Sequence, residues 1–161
     1  MIVYHGSTLE LAAPDVAHSK KYMDFGCGFY VTSFQRQAER WALRKGMRGN
    51  TAAIVNVYDL DIDAAGLSIK RFEGEDGAWL DFVCNCRRGN DTTAYDIIIG
   101  AVADDDVFKA VNMYEKGLWT REQTIQELRY YKMNDQIVFK NDTAIKMSLH
   151  FIRSYEVKQN G

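Results

Sequence analysis

The chain has 161 residues, 47% hydrophobic and 26% charged, with a formal net charge of −2. That balance suits one soluble domain over 1–161 with a substantial core, and gives no support for a broadly basic nucleic-acid binder. Cys27, Cys84 and Cys86 form no Cys-x-x-Cys pair, the histidines do not cluster, and neither a leader nor a membrane-length apolar run is evident. Zinc, a disulfide scaffold and a membrane anchor are thereby disfavoured, and a reduced cytoplasmic protein is predicted.

In chain order, Ile2–His5 predicts a short strand, and 7–23 an irregular loop carrying the sole proline, Pro14. Phe29–Thr32 reads as a second strand. A helix over Phe34–Met47 follows from apolar Phe34, Ala38, Trp41 and Ala42 at helical spacing, with Gly46 and Gly49 favouring its end. Ala52–Leu60 alternates as a strand, and Ser68–Phe72 as a shorter one. Gly77–Arg87 is an amphipathic helix, and Tyr95–Val102 a buried strand around Ile97-Ile98-Ile99. Asp104, Asp105 and Asp106 suit the positive end of a helix running through Glu115. Thr120 to Gln123 has capping-box spacing and opens a helix to about Tyr131. Asp135–Lys140 is a strand, Asn141 caps a short helix, and Leu149–Val157 is the last strand. Strands interleaved irregularly with helices predict an α+β fold rather than a doubly wound parallel sheet.

Three short motifs carry the chemistry. Tyr4-His5-Gly6-Ser7 places a histidine before a glycine that lets a ligand approach the backbone. Asp24-Phe25-Gly26-Cys27-Gly28-Phe29-Tyr30-Val31-Thr32 leads two glycines into an aromatic strand, where glycine otherwise weakens pairing. Asn134-Asp135-Gln136-Ile137-Val138-Phe139 comes last; alternation sets Asn134 and Gln136 on one face and Asp135 on the other.

Together these motifs resemble the ADP-ribosyltransferase superfamily in its histidine-tyrosine branch, which includes the poly(ADP-ribose) polymerases and the diphtheria-toxin-like enzymes. The nearest likeness is to a family of small bacterial proteins with a His-Tyr-Gln triad. The resemblance implies a split antiparallel β core with surrounding helices, NAD as co-substrate in a cleft between two small sheets, and no metal. It implies His5, Tyr30 and Gln136 as catalytic residues, and Tyr4, Gly6, Ser7, Gly28, Phe29, Trp41 and Asn134 as NAD-binding ones. His5 would donate to a ribose hydroxyl and the Gly6 backbone would pair with the nicotinamide carboxamide. The Tyr30 face would lie on the cationic ring, with Trp41 able to sandwich it. A neutralising antitoxin partner, as in toxin or phage-defence systems, follows by analogy.

Each residue has a plainer reading. His5 could cap a strand, Tyr30 and Phe29 could be strand core, and Trp41 could anchor its helix. The basic run Arg40 to Arg48 could be a solvated helix face. Asp59, Asp61 and Asp63 could suggest a cation site or the polar end of a strand, and Cys27 with His5 a thiol hydrolase. Gln136 stands where the vigorous polymerases use glutamate. An amide can hold a hydroxyl but supplies no charge to an oxocarbenium-like state. The sequence therefore points to single ADP-ribose transfer onto a macromolecule, protein sooner than nucleic acid. The alternatives are an inert NAD- or ADP-ribose-binding module and an NAD glycohydrolase.

Overall fold

The elements of the computed structural model, which describes residues 1–19, 23–64, 66–74, 77–90, 94–102, 105–128 and 135–159, alternate irregularly along the chain. They are β1 (Ile2–Ser7), β2 (Phe29–Val31), α1 (Gln35–Gly49), β3 (Ala53–Leu60), β4 (Ile69–Arg71) and α2 (Gly77–Arg87), then β5 (Ile97–Ala101), α3 (Asp105–Glu115), α4 (Arg121–Leu128), β6 (Asp135–Phe139), α5 (Asp142–Ser148) and β7 (Leu149–Val157). Strands order as β1-β3-β7 in one sheet and β2-β6-β5-β4 in the other. Pairing is antiparallel except between β4 and β5. The fold is α+β, as the sequence predicts.

Alternation along the strands sorts the core into layers. Val3, Tyr58 and Leu60 of the first sheet pack against Phe29, Val31, Ile97, Ile137 and Phe139 of the second, closed off by Ala144 and Ile145 of α5. The opposite face of the first sheet buries Val55 and Val57 under Ala38 and Ala42 of α1. The outer face of the second sheet buries Tyr30, Ile98 and Val138 under Trp79, Leu80 and Val83 of α2 and Val107, Ala110 and Val111 of α3. The layers thus run α1, first sheet, second sheet, then α2 and α3.

The sheets join edge to edge at Tyr4 and Thr32, whose amides and carbonyls exchange bonds of 2.8 and 2.9 Å. Beyond that joint β1 and β2 part. Because Tyr4 turns its N–H and C=O away from β3, Gly6, two residues on, does the same. Its peptide groups face the gap between the sheets.

Local chemistry explains the helix ends. Thr120 Oγ1 accepts from Gln123 N at 3.1 Å while Gln123 Oε1 accepts from Thr120 N at 2.8 Å, a reciprocal cap. Asn141 Oδ1 accepts from Ala144 N at 2.8 Å. Helix α1 runs through Gly46 and ends at Asn50, in the left-handed region at φ 51°. Gly46 is a packing residue instead: a Cβ there would lie 2.9 Å from the Thr51 carbonyl. Phe34 lies 44% exposed and Trp41 half-buried, so the buried stripe of α1 is Gln37, Ala38, Ala42 and Gly46. The expected extension of α4 to Tyr131 falls outside the described residues.

Candidate functional site

The gap between β1 and β2 gathers the first two motifs. Gly6 sits against α1: a Cβ would strike the Ala38 carbonyl, lie 2.7 Å from Ala42 N and come within 3.0 Å of Trp41 Cβ. Glycine is therefore required for the helix to seat on β1, and that seating brings Trp41 to the Gly6 backbone. Trp41 is half-buried and, among the described residues, belongs to none of the three core clusters. One turn further along α1, Lys45 Nζ donates to the Gly6 carbonyl at 2.7 Å.

His5 takes the opposite face of β1. Its ring stacks on Phe29 with centroids 4.3 Å apart. Nδ1 lies 2.5 Å from the Tyr30 carbonyl. A carbonyl only accepts, so Nδ1 carries the proton and Nε2 keeps its lone pair. Burial, reinforced by the Lys45 ammonium and only partly opposed by the bond to Tyr30, pushes His5 down from 6.5 to about 3. The imidazole is neutral near pH 7 and offers Nε2 as an acceptor. Toward a ribose hydroxyl it would accept the proton of the hydrogen bond, the reverse of the direction implied by the family pattern.

Tyr30 turns its side chain to the outer face of the second sheet. Its hydroxyl donates to the Gly26 carbonyl at 2.5 Å and accepts from Phe25 N at 3.0 Å. Gly26 makes that turn at φ 76°. Gly28 passes so close over β6 that a Cβ would meet the Val138 side chain and sit 2.7 Å from the Phe139 carbonyl. Lys140 Nζ pins the same loop through the Phe25 and Cys27 carbonyls at 2.7 and 2.6 Å. A turn thus accounts for Gly26 and close packing for Gly28. Phe29 is buried core, edge-on to Tyr58 at 5.9 Å. Tyr4 packs beside α1 in the Val55–Val57 layer, and Ser7 accepts from Leu9 N at 3.4 Å in a local turn.

Gln136 shares the outer face with Tyr30 and is only 3% exposed. Its Nε2 donates to the Ala101 carbonyl at 3.2 Å and to Asp24 Oδ2 at 3.4 Å. Both amide hydrogens being so placed, the acceptor Oε1 is the end left for a ligand. Asp24 is in turn gripped by Arg87, with Nε and Nη2 at 2.9 and 2.7 Å from Oδ1. The first residue of the second motif therefore braces the third motif, while its Phe25 and Gly26 brace Tyr30. Asp135 points to the His5 side of β6. Its carboxylate accepts from Ser33 N at 2.9 Å, Ser33 Oγ at 2.6 Å and Thr32 Oγ1 at 3.0 Å, steadying the entry to α1. Asn134 lies outside the described residues.

The arrangement brings Gly6, Trp41 and Lys45 together, joins His5 to the Tyr30 backbone, and links Tyr30 with Gln136 through Asp24–Gly26. Lys45, Asp24, Arg87 and Asp135 carry none of the roles read from the sequence. Only Lys45 had a local signal, standing four residues beyond Trp41 on the same helix face. Asp59 receives the N-terminal amine at 3.0 Å, and among the described residues no group of His, Cys, Asp and Glu is placed to hold a metal.

Comparison with curated proteins gives no match. A family model described as "Protein of unknown function (DUF3990)" matches residues 1–151, which contain all three motifs. The chain belongs to the DUF3990 family.

Proposed function

We propose that the gap between the two sheets binds NAD and that the protein transfers a single ADP-ribose to a macromolecular acceptor. One observation carries this reading: the Gly6 peptide groups, with Trp41 beside them, face a gap on the line where the sheets part. The nicotinamide carboxamide would pair with the Gly6 backbone, displacing the Lys45 ammonium from the carbonyl. The ring would lie against Trp41 and toward Tyr30, a cation–aromatic contact of about 0.5–2 kcal/mol. His5 Nε2 would accept from a ribose hydroxyl, and Gln136 Oε1 from another.

The bond between ribose C1 and the nicotinamide nitrogen then breaks, and its electron pair neutralises the departing ring. A lone pair of the acceptor bonds C1, and the acceptor releases its proton to solvent. Positioning and exclusion of water would supply most of the help. Asp24 is paired with Arg87 and Asp135 faces the other side of β6, so Gln136 helps by holding a hydroxyl rather than by supplying charge.

The neutral Gln136 also favours a second reading, a module that binds NAD without turning it over. Thermal unfolding with NAD and with nicotinamide tests the binding shared by both. A ligand at about a hundred times its dissociation constant adds roughly 2.7 kcal/mol to stability. A raised melting temperature with both ligands, lost in Trp41→Ala, supports the site. No shift with either at millimolar concentration removes it.

A further inference from the structure

We infer that the outer ridge of α1 docks single-stranded nucleic acid, and that nucleic acid is the acceptor for the ADP-ribose. The docking half stands on the helix alone; the acceptor half rests on the NAD reading.

Arg36, Arg40, Arg44 and Arg48 recur at every fourth position of α1, and all four are exposed. Each step of four advances about 6 Å along a helix and turns about 40°, so the four guanidinium groups make one continuous ridge spanning about 18 Å. Two further ridges lie beside it. Ala38, Ala42 and Gly46 are buried against the first sheet. Between that buried ridge and the arginines run Trp41 and Lys45, the residues that meet Gly6. The arginines therefore lie on the outer side of the Trp41–Lys45 row that meets Gly6.

The charge of Arg36, Arg40 and Arg48 is not cancelled locally among the described residues. Helix α1 carries five cations and a single carboxylate, Glu39, although the whole chain is at −2. Glu39 is drawn to the other flank, where it accepts from the Tyr155 hydroxyl at 2.8 Å. Among the described residues Arg36, Arg40 and Arg48 enter no ion pair.

A diphosphate such as that of NAD is too short to engage a ridge of this length. Evenly spaced guanidinium groups match a polymer with evenly spaced phosphates better than a protein with scattered carboxylates. At about 3.4 Å per phosphate along one strand, the ridge covers roughly five nucleotides. Evenly spaced cations along a track suit the backbone of a single strand, held without sequence preference. A duplex would keep its bases from the gap, whereas a single strand on this ridge can turn one toward the ribose C1.

Fluorescence anisotropy with a labelled mixed-sequence RNA of about ten nucleotides, the matching DNA strand and its duplex, without NAD, tests the docking half. Three phosphate contacts, from Arg36, Arg40 and Arg48, predict a log–log salt slope near −2 for the single strands, about an eighteen-fold weakening between 50 and 200 mM salt. Arg40→Gln/Arg48→Gln should shallow that slope by about 1.4 with an unchanged urea midpoint. An unaltered slope, no binding at 50 mM salt, tighter binding of the duplex, or equal competition by polyglutamate overturns it. Labelled NAD then tests the acceptor. Label on the oligonucleotide, reduced at least tenfold in the double variant while the NAD-induced thermal shift persists, supports it. Label on protein alone overturns the acceptor half, and no NAD shift overturns it together with the NAD reading, leaving docking judged by the anisotropy.

Discussion

Gln136→Glu probes the buried chain of Gln136, Asp24 and Arg87. In the parent, the Gln136 amide donates to Asp24 at 3.4 Å and to the Ala101 carbonyl at 3.2 Å. The substitution replaces both donors with a carboxylate facing a carboxylate and a carbonyl. Two unit charges at that separation repel by about 5 kcal/mol at an effective dielectric of about 20, and the lost hydrogen bonds add about 1 kcal/mol each. The Arg87 guanidinium, 2.7 Å from Asp24, and a proton shared between the two carboxyls relieve part of this. A net loss of about 3 kcal/mol at pH 7, shrinking toward pH 5, is expected in urea unfolding. Asp24→Asn/Gln136→Glu should recover most of it, because the asparagine can donate to the introduced carboxylate while Arg87 remains beside it. A gain in NAD hydrolysis from that carboxylate should then show in the double variant rather than the single one. A Gln136→Glu protein within 0.5 kcal/mol of the parent and indifferent to pH would refute the contact.

Tyr30→Phe should cost about 1–3 kcal/mol, because it strands the buried Phe25 amide and Gly26 carbonyl, yet the NAD-induced thermal shift should survive with the ring. His5 binds its proton at about pH 3 when folded and near pH 6.5 when unfolded, so the unfolded chain holds the extra proton between these values. Its contribution is intact above pH 6.5 and is lost as pH falls toward 3, with a slope of up to about 1.4 kcal/mol per unit that His5→Gln should remove in acid-unfolding curves. Lys45→Met should raise the His5 pKa, read by NMR titration, and free the Gly6 carbonyl, tightening nicotinamide binding about tenfold by removing a charge-assisted bond.

Local patterns made the elements legible. Alternation marked β3, and the caps at Thr120 and Asn141 act through the atoms their spacing implies. Alternation also sets Asp135 and Gln136 on opposite faces of β6. The glycines were harder to read, because a glycine serves a ligand, a turn or a close packing contact equally well. Gly26 serves a turn and Gly28 a crossing over β6, while Gly6 seats α1 and still turns its peptide toward the gap. Trp41 could not be divided between wall and anchor from spacing, since the choice depends on where β1 meets the helix. The bracing of Gln136 by Asp24 and Arg87 joins positions 24, 87 and 136, and no periodicity within one element encodes such a meeting. The arginine ridge is present in the sequence as a basic run; its place beside Trp41 and Lys45, which meet Gly6, depends on how α1 seats on β1.

Release of nicotinamide from NAD by the purified protein, with whole-cell lysate as the source of acceptor and adenine-labelled NAD as tracer, tests the central claim most directly. The account predicts nicotinamide release with label retained on a macromolecule, and loss of both in His5→Ala and Trp41→Ala proteins that remain folded. No release with any lysate, or release unaffected by those two substitutions, would contradict it.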